Sequence, residues 1–183
     1  MNTKIYPSAF VQNAKRYAIE THASTNHFYD EYLPYEFHLR MVVKNGEKFI
    51  HLIPEEDQDS VIAACWTHDL IEDARENYNS VLKSTDLICA EITRACTNYG
   101  RGRNREERMP DFVYQDIFDT KYAVFVKLCD RIANAQYSKM TGSNMFNKYK
   151  KEHEHFKYML YVTGPFEPMW NYLEEIFNSK NEQ

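Results

Sequence analysis

The stretch that most constrains this chain is Tyr122-Ala123-Val124-Phe125-Val126-Lys127-Leu128-Cys129-Asp130-Arg131-Ile132-Ala133-Asn134. A helix made from it is apolar on nearly all sides, so it is stable only as a core helix wrapped by other elements. Asp130 sets a carboxylate into that core, which is costly unless the charge is ion-paired or bound to a metal. Considered alone, Asp130 is explained as well by a salt bridge to a basic partner such as Arg131 as by metal binding. Asn134 lies one helical turn further on.

The rest of the chain supplies helices to wrap such a core. Phe10, Val11, Ala14, Tyr17, Ala18 and Thr21 recur at three- and four-residue intervals and predict a helix over 8–22, with Ser8 as its N-cap. Residues 22–34 have no period and read as a loop. A second helix is expected from Tyr35 to Lys44, ending at Asn45-Gly46. A third follows the acidic stretch Glu55 to Asp59, turns Val61, Ile62, Cys65, Trp66 and Leu70 inward, and holds His68 and Asp69 near its end. Further helices are expected over 79–96, 121–137, 146–161 and 168–177, with a polar basic loop from Asn98 to Pro110. Neither a βαβ alternation nor an internal repeat is visible. The fold class is therefore all-α, a single helical domain over residues 1–183 in which helices 146–178 complete the bundle.

Composition narrows the partners. Twenty-two Lys and Arg against 27 Asp and Glu give a net charge of −5, which argues against duplex nucleic acid and anionic membrane as partners. Cys65, Cys89, Cys96 and Cys129 form no Cys-x-x-Cys pair, and no run approaches the ~20 apolar residues of a membrane span. Met1 to Phe10 lack the pattern of a secretory signal, so a cytoplasmic protein with a small-molecule ligand is expected.

Three groups of residues could carry chemistry. In His68-Asp69-Leu70-Ile71-Glu72-Asp73, His68 and Glu72 are one turn apart, as are Asp69 and Asp73, and the apolar run Val61 to Trp66 precedes them. His38 follows Pro34-Tyr35-Glu36-Phe37, and Asp130 lies in the core helix. A histidine in an apolar helix is commonly a packed core residue, and an isolated His-Asp pair commonly a solvated helix end. Together, however, His38, His68, Asp69 and Asp130 make a two-histidine, two-carboxylate set suited to a borderline-hard divalent ion with positions left for water.

The order of these pieces resembles the HD-domain phosphohydrolases, and within them the alarmone hydrolases: the hydrolase half of RelA/SpoT proteins and the small stand-alone metazoan type. Pro34-Tyr35-x-x-His38, His68-Asp69-x-x-Glu72-Asp73 and Lys127-Leu128-x-Asp130-Arg131-x-x-Asn134 carry the likeness, which covers residues 8 to 160 approximately. The resemblance implies a helical bundle around one Mn²⁺ held by His38, His68, Asp69 and Asp130. It implies that Glu72 and Asp73 position and activate the attacking water, that Asn134 lies beside the bound nucleotide, and that His22 precedes the substrate loop. The implied reaction removes pyrophosphate from the 3′ position of a guanosine 3′,5′-polyphosphate. An HD nucleotidase acting on another nucleotide, and a non-catalytic nucleotide-sensing module, are the alternatives.

The chain departs from the family pattern twice. After His22 it carries Ala23 to Asp30 without a Lys or Arg, where family members have a short basic stretch, and Leu39 replaces the usual proline after His38. Arg101, Arg103, Arg105 and Arg108 could compensate through bidentate contacts to phosphate, and Arg105 is the expected substrate contact.

Overall fold

The computed structural model describes residues 8–98 and 109–179. Among these residues the chain forms α1 (Ala9–Ser24), α2 (Glu36–Phe49), α3 (Gln58–Thr67), α4 (Leu70–Asp73), α5 (Tyr78–Ser84), α6 (Leu87–Cys96), α7 (Asp111–Asp119), α8 (Ala123–Met140), α9 (Met145–Leu160) and α10 (Glu167–Asn178). One two-stranded antiparallel ribbon, β1 (Phe28–Tyr29) with β2 (Leu33–Pro34), is the whole of the sheet, so the architecture is all-α.

The apolar stretch Tyr122 to Asn134 forms the axis of the bundle. Helix α8 packs against α2, α3, α6, α7, α9 and α10, and Phe125, Leu128, Ile132 and their neighbours are fully buried. Each such side chain contributes about 1.5–3 kcal/mol through burial. The helix starts from Tyr122, whose backbone is left-handed at φ +65°. Asp57 Oδ2 holds that turn, accepting from the Tyr122 hydroxyl at 2.7 Å and from Lys121 Nζ at 2.8 Å.

Ser8 caps α1 as expected, accepting from the Val11 N–H at 3.3 Å. Two expected boundaries are corrected. Helix α2 does not stop at Asn45-Gly46 but continues to Phe49. The reason is tertiary: Gly46 lies against α3, so closely that a Cβ there would stand 3.0 Å from Cys65 Sγ and 3.1 Å from Ile62 Cδ1. Asn45 is satisfied by donating to Met41 O and Gln136 Oε1. The single helix expected over 79–96 is two, because Asp86 turns its side chain to cap α6, accepting from the Cys89 N–H at 2.8 Å. Helix α7 was not foreseen. Most of the expected 98–110 loop, including Arg101, Arg103, Arg105 and Arg108, lies outside the described residues.

The four cysteines are buried and free, and no helix among the described residues is long and apolar enough to cross a membrane.

Candidate metal centre

Three elements converge on one point. Helix α2 supplies His38 from its first turn, the junction of α3 and α4 supplies His68 and Asp69, and the middle of α8 supplies Asp130. The junction is a break rather than a continuous helix: α3 ends at Thr67, and the short α4 begins at Leu70. The Asp73 N–H still donates to Asp69 O at 2.8 Å, so the one-turn spacing of Asp69 and Asp73 survives the break.

All four candidate ligands are buried. His38 Nε2 stands 3.6 Å from Asp69 Oδ2 and 3.4 Å from Asp130 Oδ1. His68 Nε2 stands 2.9 Å from Asp69 Oδ2 and 3.9 Å from Asp130 Oδ1. An octahedral ion bound at about 2.1 Å holds adjacent ligands about 3 Å apart and opposite ones about 4.2 Å apart. The observed separations lie between or close to these limits, and His38, His68 and Asp130 form a group able to hold a metal ion.

Hydrogen bonds orient three of the four candidate ligands, His68, Asp69 and Asp130, whereas the buried His38 Nδ1 has no partner among the described residues. His68 Nδ1 lies 3.1 Å from Cys65 O, which places its proton there and turns the Nε2 lone pair to the centre. The buried His68 Nε2 has no hydrogen-bond partner. Tyr35 donates its hydroxyl to Asp69 Oδ2, and Asn134 Nδ2 donates to Asp130 Oδ1. The donor set therefore fits a divalent cation.

Electrostatics agree. Burial alone would push the Asp69 and Asp130 carboxyls up. The histidines outweigh it for Asp69, and Lys127 with His38 and His68 does so for Asp130, so both stay ionised. Burial also opposes a charge on His38, but the hydrogen-bonded Asp130 and Asp69 raise its pKa to about 9. A proton on His38 offsets one of the two carboxylate charges.

Glu72 lines the cavity over this centre, and Asn98 holds its carboxylate through its backbone N–H at 3.1 Å and Nδ2 at 2.9 Å. Burial and Asp69 both raise the Glu72 pKa; burial, Asp69 and Glu72 raise that of Asp73 to about 7. Carboxylates biased toward accepting a proton are what a water-activating role needs. Asp73 follows Glu72 at the end of α4.

The cavity has a volume of about 190 Å³, and its wall includes Tyr29, Asn98, Lys127 and Asn134. Tyr29 stacks on the His38 ring at 4.8 Å and donates to Asn134 Oδ1 at 2.9 Å. A second cavity of about 170 Å³ begins on the far side of the Tyr29–Asn134 pair, with Asp30, Tyr137, Ser143 and Tyr149 in its wall.

His22 is placed differently from the other candidates. It is buried behind Tyr35, stacked on that ring at 4.3 Å, with its Nδ1 3.0 Å from His27 Nδ1, and it does not line the cavity. Burial lowers its pKa to about 4, so it is a neutral support for Tyr35. Arg105 lies outside the described residues. The sequence reading assigned no role to Tyr29, Tyr35, Asn98 or Lys127. For Tyr35 and Lys127 the signal was present, since both fall inside the quoted motifs. Tyr29 and Asn98 come from aperiodic segments that give none.

No family model and no curated protein matches the sequence. Among solved structures, the chain is similar to one described as a metazoan ortholog of SpoT that hydrolyzes ppGpp. The TM-score is 0.73 at 21% sequence identity, over 95% of this chain and 97% of that one. The two share their fold over nearly their whole lengths.

Proposed function

We propose that the protein is a metal-dependent phosphohydrolase that removes pyrophosphate from the 3′ position of guanosine 3′,5′-bis(diphosphate), with Mn²⁺ as its ion. The observation that carries the reading is the convergence of His38, His68, Asp69 and Asp130 under a cavity that also contains Glu72. The shared fold with a ppGpp hydrolase supports the choice of substrate.

His38, His68, Asp69 and Asp130 would hold the ion. When bound, it supplies a Lewis acid for the phosphoryl oxygen and lowers the pKa of water beside it. The residues do the rest. Glu72, fixed by Asn98, accepts the proton of the attacking water, and Asp73 next to it adds to the negative field that favours this transfer. Water adds to the 3′-proximal phosphorus, the bond from that phosphorus to the ribose 3′ oxygen breaks, and the leaving alkoxide takes up a proton to give GDP and pyrophosphate. Tyr35 orients Asp69, and Asn134 orients Asp130 while its Oδ1 fixes Tyr29 over His38. The two cavities meeting at Tyr29 and Asn134 suit a ligand with a phosphoryl end and a nucleoside end.

A panel of nucleotides with product identification tests the reading. The Mn²⁺-loaded protein is expected to release pyrophosphate from guanosine 3′,5′-bis(diphosphate) in preference to nucleoside mono- and triphosphates. Preferential release of phosphate or triphosphate from another nucleotide would instead make it a nucleotidase, the reading that the missing basic stretch at Ala23 to Asp30 favours.

A further inference from the structure

Lys127 is the one cation among the described residues that line the cavity over the metal centre, and nothing in the mechanism above uses it. It is 5% exposed, in the second turn of the central helix. Its nearest carboxylate oxygen is Asp130 Oδ2 at 3.5 Å, long for a charged pair, and no hydrogen bond reaches its ammonium from the described residues. Its side chain is buried while the residue lines the cavity, and an ammonium has three donors to offer there. A further anionic partner, arriving in the cavity, would complete its coordination.

Charge balance points the same way. Asp69, Asp130 and Glu72 put three carboxylates into the cavity wall, so a divalent ion leaves one negative charge uncompensated. Lys127 cancels it, and a phosphate then enters a site with no excess of its own sign. The chain has no Lys or Arg between Ala23 and Asp30, so among the described residues that line the cavity the cation is the buried one.

Resting on the proposed activity, we infer that Lys127 is an anion-binding residue: its ammonium contacts the non-bridging oxygens of the phosphoryl group under attack, on the Asp130 side of the centre. It takes over, from within the core, part of the phosphate recognition that surface basic residues would otherwise provide.

The test is calorimetric titration of inorganic phosphate into the full-length Mn²⁺-loaded protein, with Mn²⁺ affinity measured separately. Lys127→Met is expected to weaken phosphate binding ten- to hundredfold while Mn²⁺ binds as well as before or better, because Asp130 loses a competing cation. Phosphate affinity within twofold of the wild type would overturn the inference. So would a matching fall in Mn²⁺ affinity, which would make Lys127 a support for Asp130. Lys127→Gln is a second neutral variant, and if neither folds the cation serves the fold and the inference fails. A wild type that binds phosphate through Lys127 yet turns over no nucleotide would sink the proposed activity and leave this inference standing.

Discussion

At the scale of single residues, the proposed function separates the groups that would hold a metal from the group that would take the proton. His38, His68, Asp69 and Asp130 are buried; hydrogen bonds orient the last three, and the ring of Tyr29 stacks on His38. Glu72 stands beside them, held by Asn98, its pKa raised by burial and Asp69. Glu72→Gln keeps the shape and one of the two hydrogen bonds from Asn98 but removes the proton acceptor. The expected result is a fall in kcat of roughly 10²–10⁴-fold, with Mn²⁺ affinity changed by no more than a fewfold, read by steady-state kinetics and metal titration. Unchanged kcat would assign the proton to another group. The proposed ligands stand out in the sequence because a carboxylate in an apolar helix and a His-Asp pair after an apolar run are both expensive. Tyr29, which stacks on His38, and Asn98, which holds Glu72, do not stand out, because they come from segments without periodicity and owe their places to tertiary contact.

At the scale of elements, the spacing of the ligands depends on how closely α2 approaches α3. Gly46 permits that approach, and it lies on the same helix as His38, facing the helix that ends at His68. Asn-Gly reads locally as a helix stop, yet here it is a contact surface, which is why the sequence placed the end of α2 too early. Gly46→Val would drive methyl groups into Cys65 and Ile62. It is expected to cost about 1–3 kcal/mol of stability by overpacking, and to weaken Mn²⁺ binding by separating His38 from His68. Chemical denaturation and metal titration read the two effects, and a stable variant with unaltered metal affinity would show that the interface tolerates expansion. The break between α5 and α6 was missed for a related reason: apolar spacing continues across Thr85-Asp86, and only the capping bond of Asp86 marks the boundary.

At the scale of the whole molecule, a cation at this centre ties α2, the α3–α4 junction and α8 together, and its binding free energy becomes folding free energy. The sign of the pH dependence follows from His38. Its pKa is raised above the ordinary histidine value of 6.5 to about 9 by Asp130 and Asp69, against burial. In metal-free protein the stability it contributes is therefore full below pH 6.5 and is lost as pH rises toward 9. A metal must displace that proton, so the gain in Tm on adding Mn²⁺ should be small at pH 6 and grow up to pH 9. At a free concentration 100 times Kd the stabilisation is about 2.7 kcal/mol. A gain in Tm independent of pH would mean that His38 is not a ligand.

The helical class, the central position of α8 and the convergence of four ligands follow from periodicity and from the cost of buried charge. The unforeseen α7, the ribbon that carries Tyr29, and the place of His22 behind Tyr35 depend on contacts between distant segments. The central claim, metal-dependent cleavage at the 3′ phosphoryl group, is tested most directly by metal add-back. Protein stripped of divalent ions is mixed with guanosine 3′,5′-bis(diphosphate), and pyrophosphate and GDP are measured before and after Mn²⁺ is restored. The account predicts no release before addition and stoichiometric pyrophosphate and GDP after it; protein that demonstrably binds Mn²⁺ yet releases neither product would contradict it.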